Sequence, residues 1–148
     1  MYARPGIVLL LMFDIATPVL AAHCSVSTQS LAFGNYDIFF PGPLDATTYL
    51  SIQCDTPAPF RVSMDSGANN NGGFLFRNMS SGAEMLSYNL YLDSARNMVW
   101  GDGRDGSDVL IGEGALSPQR IPVYGRIPAV QNAGVGTYSD SIIVNIDL

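Results

Sequence analysis

The chain has no lysine, one histidine and one tryptophan in 148 residues, and its positive charge rests on seven arginines against thirteen carboxylates. A net charge of −6 with so few cations argues against nucleic acid as a partner, because binding to a phosphate backbone draws its affinity mainly from Lys and Arg. With His23 alone, beside the expected mature N-terminus, there is no histidine-based general-base constellation and no Cys/His ligand cluster. A Gly-x-Ser-x-Gly elbow and a Walker loop are also missing. These absences together predict a protein that is not an enzyme and needs no cofactor, metal or small-molecule substrate. Long apolar runs are lacking too. The stretch Ile7 to Phe13 holds seven apolar residues, and Asp14 and Pro18 interrupt its continuation, short of the roughly 20 residues a membrane span requires.

What that stretch does match is an export signal. Arg4 supplies the positive n-region, Ile7 to Phe13 the apolar h-region, and Val19-Leu20-Ala21 or Leu20-Ala21-Ala22 the small-residue cleavage site. Asp14 departs from the pattern. Residues 1–22 are therefore expected to be a cleaved signal peptide and residues 23–148 a single domain, a length that suits one core. Cys24 and Cys54 then enter an oxidising compartment, where pairing is the default. The loop they would close is about 30 residues, for which chain entropy gives about 3.5 kcal/mol.

Apolar residues recur at period two, the mark of strands with one buried face. Thr48, Leu50, Ile52 and Cys54 alternate with Tyr49, Ser51 and Gln53; Phe60, Val62 and Met64 alternate with Arg61, Ser63 and Asp65. Leu86, Tyr88, Leu90 and Leu92 alternate with Ser87, Asn89 and Tyr91, so Met85 to Asp93 reads as a strand rather than a helix. Ile121, Val123, Gly125 and Ile127 form another row, in which Pro122 predicts an edge or a bulge because it has no N–H for a ladder. Glycine, asparagine and aspartate clusters at Ser66 to Gly73, Gly101 to Asp108 and Asn132 to Gly136 mark turns. The pattern is that of an antiparallel β-sandwich.

The last strand is expected from Tyr138, with Tyr138, Asp140, Ile142, Val144, Ile146 and Leu148 on one face. A further strand, which an ordinary immunoglobulin-like sandwich would lay beside it, has no residues after Leu148. An apolar edge strand without a partner is an aggregation hazard that proteins normally avoid.

Six motifs in order carry a resemblance. They are Cys24 followed by Phe33-Gly34-Asn35-Tyr36, the Cys54 segment, Leu86-Ser87-Tyr88-Asn89-Leu90-Tyr91, Trp100-Gly101-Asp102-Gly103, Val123-Tyr124-Gly125-Arg126-Ile127-Pro128, and Gly136-Thr137-Tyr138-Ser139-Asp140. The chain resembles the spore coat protein U domain family, which includes the subunits of archaic, Csu-type chaperone-usher pili. The resemblance implies an all-β fold: an incomplete immunoglobulin-like sandwich lacking its last strand, with a disulfide tying the first strand to the second. It implies donor-strand complementation, in which a periplasmic chaperone lends a strand to the open groove and another subunit's N-terminal extension later replaces it; pilins are a known instance of this mode. The implied partners are that chaperone, an outer-membrane usher and other pilus subunits, on a route through the periplasm to the cell surface. Ile142, Val144, Ile146 and Leu148 are the implied inward side chains at the chaperone or donor-strand interface. Cleavage after Ala21 or Ala22 leaves one or two residues before Cys24, whereas a donor strand takes on the order of ten, so a minor or terminal subunit is expected. The alternative is a secreted coat protein that forms no filament.

Two weaker signals remain. Asp102, Asp105 and Asp108 invite a calcium reading, but a calcium loop of the helix-loop-helix type would place oxygen ligands where Arg104 and Gly106 stand. A solvated turn is the better reading. Gly72-Gly73-Phe74-Leu75-Phe76 is either an exposed tip that touches a surface or a strand burying Phe74 and Phe76 on one face.

Overall fold

The computed structural model describes residues 21–70 and 73–148, so the expected export signal lies outside the described residues except for Ala21 and Ala22. Among the described residues there is no helix. Eight strands form: β1 Cys24–Thr28, β2 Leu44–Cys54, β3 Pro59–Met64, β4 Arg77–Ser81, β5 Glu84–Tyr91, β6 Leu110–Glu113, β7 Gln119–Ile127 and β8 Val144–Asp147. They make a five-stranded sheet in the order β1-β2-β7-β5-β4 and a three-stranded sheet in the order β6-β3-β8, with every described strand pair antiparallel.

Alternation decides which faces meet. Leu50 and Ile52 of β2, Val62 and Met64 of β3, Leu86 and Leu90 of β5, and Val123 and Ile127 of β7 are buried in one core drawn from both sheets. Cys24 stands opposite Cys54 in the β1–β2 register and is bonded to it, which closes a loop with a sequence separation of 30 at one end of the sandwich.

Three expectations are corrected. The strand containing Pro122 is not at an edge: β7 lies between β2 and β5. Pro122 is tolerated there because the β5 pairing of β7 stops at Tyr124, which leaves β2 as the sole ladder neighbour at Pro122. The terminal strand begins at Val144, not Tyr138, because residues 139–143 bond to β4 and to the loop after β3 instead of to a regular ladder. Asn89, expected outward with Ser87 and Tyr91, is buried.

The reason for the last lies in Arg77. This arginine is 0 % exposed, as is Trp100. Its Nε and Nη2 donate to the Asp65 carbonyl at 3.0 and 2.6 Å, Nη2 also donates to the Trp100 carbonyl at 2.7 Å, and Nη1 donates to Asn89 Oδ1 at 2.7 Å. Asn89 in turn donates to the carbonyls of Phe74 and Leu75 at 2.9 and 3.0 Å. The loop before β4 therefore folds over that part of the sheet. Burial pushes the Arg77 guanidinium down from its ordinary value, and the Phe74 ring lies 5.5 Å from it. The two phenylalanines of the Gly-rich tip divide: Phe74 is 5 % exposed and Phe76 59 %.

Candidate functional site

The core is not closed on all sides. A hollow of about 480 Å3 reaches down to Leu50 of β2, Val123 of β7, Leu90 of β5 and Met64 of β3. A second hollow, of about 840 Å3, adjoins it, the two sharing Leu31, Met79 and Tyr138. Together they form a groove whose rims are the segment from Thr28 to Phe39, which follows β1, and the segment from Ala133 to Val144, which leads into β8.

Each rim is held in place by its own chemistry. On the first, Leu31 and Phe33 lie over Gly125 in β7, where a Cβ would collide with both side chains. Phe33 also meets Tyr88 edge to face with ring centroids 6.0 Å apart, and the Tyr36 hydroxyl donates to the Pro128 carbonyl and accepts from the Gln131 N–H, both at 2.9 Å. The Phe33-Gly34-Asn35-Tyr36 motif thus pins a segment that has no strand partner among the described residues. Gly34 takes the turn with φ 84°, a region that costs a residue with a Cβ.

On the second rim two carboxylates do the pinning. Asp140 accepts from the Tyr88 hydroxyl at 2.7 Å and from the backbone N–H groups of Ala68 and Ser141 at 2.9 Å each. Asp65 Oδ1 accepts from the Ile143 N–H at 3.0 Å, while the Asp65 N–H donates to the Ile143 carbonyl at 3.0 Å. Ser80 and Ser139 exchange backbone bonds of 2.9 and 3.1 Å. Burial, reinforced by the Asp140 carboxylate, pushes the Tyr88 hydroxyl far above the usual tyrosine range, so this donor keeps its proton throughout the ordinary pH range.

Ile142, Val144 and Ile146, three of the four side chains expected to face inward, are half-buried against the core; Leu148 is 57 % exposed. Ile142 and Val144 line the groove. Among the described residues β8 pairs with β3 alone, so the other edge of Val144–Asp147 has no ladder partner. The groove floor itself is not legible in the sequence. The alternation of Leu31 and Phe33 about Ala32 is a signal for the first rim, but nothing local marks Leu50 or Val123 as core residues that a groove uncovers.

An all-β domain with one disulfide and a groove along its terminal segment defines the class as a β-sandwich structural module. The chain is a member of the Spore Coat Protein U domain family, whose model matches residues 10–145. It is a structural, non-enzymatic family. One relative, "Protein U" of Myxococcus xanthus, is 30% identical over 138 residues, covering 83% of this chain and 76% of the relative. The fold is shared with a chain in the crystal structure of the CsuC-CsuE chaperone-tip adhesion subunit pre-assembly complex from the archaic chaperone-usher Csu pili of Acinetobacter baumannii. That likeness has a TM-score of 0.62 at 21% identity over 86% of this chain. This chain spans 40% of the length of that one.

Proposed function

We propose that the protein is a structural subunit of an exported surface fibre, assembled by accepting a strand into the groove between its two rims. The observation that carries this reading is the pairing of a hollow that reaches the core with a free edge: Leu50, Leu90 and Val123 form the buried floor of the hollow, and β8 beside it has one ladder partner among the described residues. Main-chain groups of β8 would hydrogen-bond the incoming strand, while its alternate side chains fill the hollow. The occupants in turn are a periplasmic chaperone and the extension of another subunit, delivered through an outer-membrane usher to the cell surface. Ile142, Val144 and Ile146 would form the apolar side of that contact, with Leu148 joining it when the strand extends.

Expressed alone, the mature protein is expected to aggregate, and co-expression with a pilus chaperone to recover it as a soluble one-to-one pair. A stable monomer with a cooperative melt and no need of a partner overturns the proposal. The donor role is read by N-terminal sequencing of the exported protein. Cleavage after Ala21 or Ala22 would make it a subunit that receives a strand and ends or tips the fibre, and a longer mature N-terminus would make it one that also donates. The second reading, a coat protein that forms no filament, is favoured by the family's description and by the likeness to Protein U. It predicts surface material without fibres by electron microscopy.

A further inference from the structure

The terminal segment leaves the three-stranded sheet at Asp65, and the way it leaves decides how long an edge it offers. The β3–β8 register pairs Met64 with Val144, so an uninterrupted ladder would next pair Asp65 with Ile143. Half of that pair forms: the Asp65 N–H donates to the Ile143 carbonyl at 3.0 Å. The other half does not, because the Asp65 carbonyl already accepts from Arg77 Nε and Nη2. The Ile143 N–H turns instead to Asp65 Oδ1 at 3.0 Å, and the Gly67 N–H shares that oxygen at 3.1 Å. One carboxylate oxygen stands in for the carbonyl that the buried arginine has taken.

The replacement keeps Ile143 in line with β8. In an antiparallel ladder, residues that exchange both bonds with their partner alternate with residues whose main-chain groups point the other way. Met64 is of the second kind, since its N–H donates to the Gly101 carbonyl and not to β8. Its partner Val144 therefore turns N–H and C=O away from β3, and so do Ile146 and Ile142, two residues to either side. Ile142 makes no main-chain hydrogen bond among the described residues, and its side chain lines the same hollow as that of Val144. Before Ile142 the alignment is lost: the Ser141 carbonyl accepts from the Ala68 N–H at 3.2 Å, and Ser139 exchanges bonds with Ser80 of β4. The open edge thus runs over Ile142, Val144 and Ile146, and it begins before β8 itself does.

We propose, resting on the strand-accepting reading above, that Asp65 is a positioning residue for the incoming strand: its carboxylate holds Ile143 so that Ile142 adds a third pair of main-chain groups to the edge. That pair lengthens the edge by two residues, about 7 Å at the usual rise of a strand. It lets the seated strand bond along the hollow beside Ile142 as well as beside Val144. Asp65 touches the strand at no point and acts through Ile143. The role needs an acceptor oxygen at the Oδ1 position and not a charge, so an amide serves it and a methyl group does not.

Site-resolved amide hydrogen exchange of the soluble chaperone complex tests this. In the wild type the Ile142, Val144 and Ile146 amides are expected to be protected by the seated strand. Asp65→Ala should speed exchange at Ile142 about tenfold or more and leave Val144 and Ile146 protected, whereas Asp65→Asn should keep all three slow. A role confined to stability would instead speed all three amides together, and that outcome overturns the proposal. So does an Ile142 amide that exchanges in the wild-type complex as fast as in an unstructured peptide of residues 138–148, a measurement that stands even where Asp65→Ala yields no soluble complex. The two readings fail differently. If the wild type forms no chaperone complex, or one in which Val144 and Ile146 are unprotected, strand acceptance is wrong and the role of Asp65 falls with it. Protection at Val144 and Ile146 without protection at Ile142 removes the role of Asp65 alone.

Discussion

Around Arg77 and along the rim from Tyr138 to Leu148, the same chain treats buried polarity and apolar surface in opposite ways. At Arg77 a cation with no carboxylate in ion-pair distance among the described residues is 0 % exposed, yet all three guanidinium nitrogens donate to acceptors of the protein itself. Along the rim, Ile142, Val144 and Ile146 are half-buried, and the edge of β8 that faces away from β3 has no ladder partner among the described residues. The first region completes itself at the cost of desolvating a charge; the second keeps a strand edge without a ladder partner among the described residues. On the strand-accepting proposal, the contrast separates what the domain needs in order to fold from what it would offer to a partner.

The contrast breaks hardest at Arg77. Arg77→Met removes every donor that this side chain gives to the Asp65 and Trp100 carbonyls and to Asn89 Oδ1. A buried acceptor left without a partner costs about 1–3 kcal/mol, so the loss of stability should be about 3 kcal/mol or more in urea unfolding of the purified domain or its chaperone complex. A loss below about 1 kcal/mol would show that Arg77 is carried by the fold and does not hold it.

That node also marks how far the sequence could be read. Period two placed the apolar rows of β2, β3 and β5 in the core correctly, although Ser63 of β3, expected outward with Arg61, is buried as well. It failed at Asn89, where the loop carrying Phe74 and Leu75 folds back over the sheet and supplies acceptors from 14 and 15 residues away. It failed again at residues 138–143, where a strand pattern is overridden by the carboxylates of Asp65 and Asp140, whose N–H partners no alternation identifies. The motifs were legible as a resemblance before they were legible as physics. Phe33 and Tyr36 proved to be the pins of a groove rim, a role that depends on Tyr88, Pro128 and Gln131 far along the chain.

On the open side the effect should fall on partner capture more than on stability. Val144→Arg places a cation on the groove-lining face of β8, which an apolar donor strand would have to desolvate. Recovery of the chaperone complex is expected to fall about tenfold, equivalent to about 1.4 kcal/mol. Leu148→Ala, at a position 57 % exposed, should change the domain's own stability by less than about 0.5 kcal/mol and still reduce chaperone capture. If Leu148→Ala affects neither quantity, the strand-accepting contact ends before the last residue.

Tyr88 joins the two regions, being buried in the core while its hydroxyl bonds Asp140 on the rim. Tyr88→Phe should cost about 1 kcal/mol and leave Asp140 with its backbone donors. The hydroxyl's pKa is raised in the folded state from its ordinary 10.0. The stability it contributes is therefore fully present below that value and is lost as pH rises through and above it, because the unfolded chain releases the proton first. The wild type should lose stability above about pH 10 more steeply than the Phe variant, as measured by denaturant unfolding across that range.

The smallest effect belongs to Asp45, on the outer face away from both regions, and so calibrates the others. Hydrogen bonding from Arg126 lowers its pKa below 3.8; partial burial opposes this, and the charges of Arg96 and Arg126 add to the lowering. A carboxylate whose folded pKa is depressed contributes stability above its unfolded value and loses it as pH falls through the folded one. With its side chain 35% exposed, the contribution is screened and should be under about 1 kcal/mol. Urea unfolding of wild type and Asp45→Asn between about pH 5 and about pH 2 should show a gap that closes as the pH falls. A gap that persists undiminished in acid would mean that Asp45 acts through packing rather than charge.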